Sequence, residues 1–124
     1  MYFLSTSARA LPDDLRAAMR AWLRVQLPVL SIEQSGDLWY LFSDPDLHGA
    51  VRRRLDREPG APQHAYATIR LRDDGVEMET VHDPETDQGL HAFVCWAQTQ
   101  AALRLTDSGM PITAADLIDP ELYE

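Results

Sequence analysis

The residues able to do chemistry in this sequence are few, and the densest set is His82-Asp83-Pro84-Glu85-Thr86-Asp87, followed by His91. A histidine beside carboxylates can serve as a general base, and two histidines with acids can hold a metal. The spacing matches none of the common zinc patterns, and Asp-Pro-Glu is equally what a helix start needs: a cap, a fixed φ and anions at the positive end of the dipole. The expectation is therefore no metal, no cofactor and no assigned catalytic residue. A small enzyme built around His82 and His91 stands as an alternative. His48 and His64 fall at the edges of elements, where histidine is an ordinary surface residue. The lone Cys95 lies inside an apolar stretch, which predicts a buried, inert thiol. The six glycines are isolated in turns or at a helix start, so no phosphate-cradling loop is present.

The stretch Gly89 to Leu105 is the longest in which apolar residues recur at helical spacing without a proline. Leu90, Phe93, Val94, Ala97, Ala101 and Leu105 fall on one stripe, with Ala92, Trp96 and Leu103 on a second. Such a helix must be covered from two sides. Trp96 is expected to meet either another element of the chain or a second copy of it. Upstream, Pro12-Asp13-Asp14 starts a helix whose stripe is Leu15, Ala18, Met19, Trp22 and Leu23, ended by Pro28. Another face of it carries Arg16, Arg20 and Arg24 in a row.

Two hairpins and a further helix fill the space between. Residues 29–34 and 37–43 flank Ser35-Gly36, which predicts Ile32 opposite Trp39, Leu30 opposite Leu41, Val29 opposite Phe42 and Ser31 opposite Tyr40. Both faces of that hairpin are apolar, so one of them needs a further cover. Asp44-Pro45-Asp46 starts a short helix bearing Arg52, Arg53, Arg54 and Arg57, and residues 58–63 form a loop rich in breakers. Residues 64–72 and 76–82 flank Asp74-Gly75, the preferred pair of a type I′ turn. This turn sets Arg72 against Glu77, Arg70 against Glu79, Leu71 against Met78 and Ile69 against Thr80. The tail, 111–124, is acidic with scattered apolar residues. Thr113 is a candidate cap, and Asp119-Pro120-Glu121 repeats the helix-start pattern.

These elements predict an α/β (α+β) fold in helix-hairpin-helix-hairpin-helix order, with an antiparallel sheet packed against a long C-terminal helix. One domain covers 1–110, and 111–124 is an acidic C-terminal tail. The 124 residues are too few for a second domain, and no apolar run is long enough to span a membrane. Without a basic leader the chain is expected to be cytoplasmic. All eleven cationic side chains are arginine, which suggests a GC-rich, bacterial source.

Charge is distributed unevenly. Residues 1–72 carry ten Arg against eight acids, whereas 73–124 carry one Arg against twelve, within a net charge of −9. Such a chain repels nucleic acid on its acidic side and attracts basic proteins. A nucleic-acid-linked regulator using Arg16, Arg20, Arg24 and Arg52 to Arg54 is an alternative, disfavoured by the net charge and by the lack of stacking aromatics. The expected function is non-catalytic protein binding, with a basic partner or a second copy of the chain as the occupant. Immunity proteins that neutralise toxins and export chaperones that hold effectors share this size and charge. The order of elements is similar to that of class I type III secretion chaperones, a resemblance of topology without a shared motif that implies acidic homodimers. The residues expected to bind the partner are Trp39, Tyr40, Phe42, Trp96, Asp116, Asp119 and Glu121.

Overall fold

The computed structural model describes residues 1–25, 31–35, 37–42 and 67–123. The chain is an α+β fold whose strands β1 (Tyr2–Ser5), β2 (Ser31–Ser35), β3 (Leu38–Phe42), β4 (Ala67–Leu71), β5 (Val76–Thr80), β6 (Arg104–Asp107) and β7 (Met110–Pro111) form one antiparallel sheet. The spatial order is β2-β3-β4-β5-β1-β6-β7. Helices α1 (Asp13–Val25) and α2 (Pro84–Gln100) both pack on one face. The residues expected to form a helix after Asp44 lie outside the described residues.

Alternation along the strands decides which side chains the helices cover, because successive residues point to opposite faces. Tyr2 and Leu4, Trp39 and Leu41, Ala67, Ile69 and Leu71, Val76 and Met78, and Leu105 form the inner face. Against them lie Leu15, Met19 and Leu23 of α1 and Leu90, Phe93, Val94 and Ala97 of α2. The two stripes expected of the helices therefore do face the sheet. Of the expected second stripe only Trp96 meets α1, stacking on Trp22 at 5.4 Å between ring centroids and 22° between planes, whereas Ala92 is exposed and Leu103 lies past the helix end.

Several expectations are corrected. The helix does not continue to Leu105: it begins at Pro84, capped by Asp83, whose carboxylate accepts from the Thr86 amide at 3.0 Å, and it ends at Gln100. Ala101 is extended, and residues 104–107 instead pair with β1, so Leu105 reaches the core from a strand. A helix and a strand would both bury this leucine, and the open edge of β1 decides between them. The order of elements changes accordingly, because β1 precedes α1 and two strands follow α2.

Both hairpins also pair two residues away from the expected register. Ile32 opposes Leu41 and Gln34 opposes Trp39, while Ile69 opposes Met78, Arg70 opposes Glu77 and Leu71 opposes Val76. The second turn centres on Asp73-Asp74, with the Arg72 amide donating to the Gly75 carbonyl at 2.8 Å. Gly75 has no positive φ, so no type I′ turn forms there. A register change of two keeps each residue on its face, so the core is unaffected.

The segment after β7 packs on α2 as two 3-10 turns, Ala114–Ile118 and Pro120–Tyr123. Asp116 accepts hydrogen bonds from the Thr113 amide and hydroxyl at 2.9 and 3.3 Å, and Leu117 is buried in the core. The expected tail boundary at residue 111 falls within β7.

Candidate functional site

The starts of β1 and α2 and the ends of β5 and β6 meet at one end of the sheet. Pairing sets Tyr2 between Met78 and Asp107. After β5 the chain turns through His82, whose φ of 62° is in the left-handed region, and enters α2. Two hydrogen bonds tie the turn. The His82 amide donates to Thr80 Oγ1 at 2.9 Å, the Thr80 hydroxyl donates to Asp87 Oδ1 at 2.5 Å, and His82 Nδ1 lies 3.5 Å from Asp87 Oδ2. Asp87 is fully buried.

Beside these residues is a cavity of about 300 Å³ lined by Met1, Tyr2, Met78, Glu79, Thr80, His82 and Asp107. Tyr2 is 8% exposed, and its phenol makes no hydrogen bond among the described residues. Burial, and then the carboxylates of Asp107, Asp87 and Asp116, push this phenol above its usual pKa. It stays neutral at physiological pH. Asp107 accepts the α-ammonium of Met1 at 3.5 Å. A neutral hydroxyl and an imidazole are thus set in an acidic surround.

Four of the seven arginines among the described residues are paired with acids, away from this end of the sheet. Arg16 contacts Asp13 at 2.5 Å and Asp73 at 2.8 Å, and Arg20 contacts Asp37 at 2.8 Å. Arg72 pairs with Glu77 and Asp74, and Arg70 lies 3.8 Å from Glu77. By contrast, Asp83, Glu85, Asp116, Asp119 and Glu121 make no ion pair with arginine among the described residues. The row of Arg16, Arg20 and Arg24 is therefore not a free cationic ridge, since its first two members are paired and the third stands 6.0 Å over the Trp39 ring. Arg52 to Arg54 lie outside the described residues.

The expected partner-binding residues are dispersed. Trp39 is a core residue, 2% exposed on the inner face. Tyr40 points to the outer face and is also buried, and the side chain of Phe42 lies outside the described residues. Trp96 is half-buried against Trp22 and Phe93. Asp116, Asp119 and Glu121 are together on the C-terminal turns, where Asp119 Oδ1 accepts from the Glu121 amide at 3.0 Å.

His82 and His91 are not brought to one site. His91 Nε2 lies 3.5 Å from Cys95 Sγ on an exposed face of α2, and Cys95 is exposed, which corrects its expected burial. Among the described residues no group of three His, Cys, Asp or Glu side chains could hold a metal ion. Tyr2, Thr80 and Asp107 escape sequence reasoning because only the pairing of distant strands brings them beside His82. No helix among the described residues is long and apolar enough to cross a membrane. Comparison with protein-family models, with curated proteins and with solved structures gave no match.

Proposed function

We propose that this chain is a small cytoplasmic, bacterial protein-binding protein without catalysis, which recognises a basic partner through its acidic C-terminal end, in the manner of a toxin-neutralising immunity protein or a secretion chaperone. The observation that carries this reading is the separation of charge. Arg16, Arg20, Arg70 and Arg72 are paired with acids of the chain, whereas Asp116, Asp119 and Glu121 have no arginine opposite them among the described residues. Acids left open to solvent attract and steer a cationic surface, and such pairs favour fast association. Self-association is a weaker proposal, because Trp96 finds its partner in Trp22 of the same chain. Affinity capture from the native host tests the reading. Wild-type protein should retain a basic protein that the Asp116→Asn/Asp119→Asn/Glu121→Gln variant does not, and identical captures for the two would overturn it.

One observation favours a second reading. The imidazole of His82 lines a cavity with its Nδ1 3.5 Å from the buried Asp87, which places a candidate general base there. A substrate turned over by wild type and lost in His82→Ala would support a small enzyme. Equal turnover by the two would remove it.

A further inference from the structure

Asp74-Gly75 is the chain's one aspartate-glycine step, and the structure leaves the pair without the type I′ turn its sequence favours. A different chemistry is then open to it. The carboxyl of an aspartate lies within reach of the backbone nitrogen of the next residue. Attack needs room around that residue and an N–H that is not held elsewhere. Glycine, with no Cβ, meets the first need.

The turn meets the second. Asp74 stands on the hairpin tip with its side chain 51% exposed. Only one backbone bond closes the turn: the Arg72 amide donates to the Gly75 carbonyl at 2.8 Å, and among the described residues the Gly75 amide donates no backbone hydrogen bond in return. The aspartate followed by the next smallest residue, Asp107 before Ser108, differs at this point, since the Ser108 amide donates to the Met1 carbonyl at 3.0 Å. Asp83 and Asp119 precede proline, which has no N–H to lose.

We propose that Asp74 is a site of spontaneous isomerisation to isoaspartate, at the turn against which β1 packs. The Gly75 nitrogen bonds to the Asp74 carboxyl carbon, and its proton and the carboxyl hydroxyl leave as water, which closes a succinimide ring. Water then opens the ring. Cleavage at the original main-chain carbonyl routes the chain through the side-chain carbon and gives isoaspartate, whereas cleavage at the other carbonyl restores aspartate. Mass is unchanged, and the reaction needs no oxidant, reductant or cofactor.

The product has one more carbon in the main chain before Gly75, where the surroundings are already full. A Cβ on Gly75 would lie 2.4 Å from Phe3 Cζ and 2.7 Å from the Leu4 carbonyl oxygen. Packing this close responds to a single added carbon. The lengthened turn displaces Gly75 and loosens the pairing of Leu4 with Val76, so a change at an exposed turn reaches a strand that lies between β5 and β6.

The test incubates the whole folded protein at physiological pH and temperature for weeks. Isoaspartate is read by methyl transfer from S-adenosylmethionine with an isoaspartyl methyltransferase and is located by fragmentation mass spectrometry. It should accumulate at residue 74 ahead of residue 107, and the converted chains should lose hydrogen-exchange protection in β1 and at the start of β5. Asp74→Glu keeps the charge and the exposed position but would have to close a larger ring, so its methyl acceptance should stay at the level of fresh protein. No accumulation in wild type, isoaspartate first at another aspartate, or equal methyl acceptance in Asp74→Glu would overturn the site. Full protection of β1 in converted chains would overturn its link to the strand.

Discussion

The ring of Phe3 occupies the space that a side chain at Gly75 would need: a Cβ built there would lie 2.4 Å from Phe3 Cζ and 2.7 Å from the Leu4 carbonyl oxygen. The glycine is required for the approach of β1 to the second hairpin. Its conformation would tolerate another residue. Gly75→Ala should therefore lower stability by about 1–3 kcal/mol through overpacking, and Gly75→Val by more. Adding Phe3→Ala should recover part of the loss, since the ring is relieved and the carbonyl is not. A urea midpoint unchanged by Gly75→Ala would show that β1 does not lie against this turn.

The Trp22–Trp96 stack joins the two helices above the sheet. Aromatic pairs of this kind contribute about 0.5–1.5 kcal/mol beyond the area they bury. A double-mutant cycle with Trp22→Leu and Trp96→Leu should return a coupling in that range. Additive effects would mean that the rings do not meet.

Arg20 and Asp37 tie α1 to the turn before β3. The Arg20 hydrogen bond holds the Asp37 carboxyl below its usual pKa. Folding therefore favours the ionised form, and the stability this contributes is present above the unfolded value of about 4 and lost as pH falls through the folded one. The carboxylate is 43% exposed, which limits the effect to a few tenths of a kcal/mol, up to about 1. Asp37→Asn should lower stability by that amount at neutral pH and weaken its acid dependence. An identical acid limb in the variant would contradict the pairing.

Tyr2 gives the opposite sign at the alkaline end. Its folded pKa is raised, chiefly by burial, so its contribution is complete below the unfolded value of about 10 and is lost as pH rises from there through the folded one. Wild type should begin to lose stability above about pH 10. Tyr2→Phe should flatten that loss in thermal melts across pH, and an unchanged alkaline limb would place the phenol in water.

The exposed Cys95 should react with a thiol reagent in the folded state, one group per chain, without denaturant. A reaction seen only after unfolding would restore the buried thiol that the apolar pattern suggests.

Which residues face the core could be read from the sequence, because the 3.6-residue and two-residue periods marked Leu15, Met19, Leu23, Leu90, Phe93 and Ile69. Pairing details could not. Asp74-Gly75 favours a type I′ turn in isolation, yet Gly75 is taken up by contact with Phe3, a residue 72 positions away in sequence, and the turn moves to Asp73-Asp74. Leu105 satisfies helical spacing and strand pairing alike, and only β1, a strand of four residues, decides for the strand. The acids of the 3-10 turns were legible as charge. The cavity was not, since Tyr2, Thr80 and Asp107 are distant in sequence and meet only through the order β5-β1-β6.

The most direct measurement is the association rate of the captured partner as ionic strength is varied, for wild type and for Asp116→Asn/Asp119→Asn/Glu121→Gln. Steering by exposed charge acts over a Debye length of about 10 Å at 0.1 M salt, so the wild-type rate should fall ten-fold or more, roughly, as salt rises. The triple variant should associate more slowly at low salt and with a flatter dependence. The same rates and the same salt slope for both proteins would contradict an acidic recognition surface at the C-terminal end.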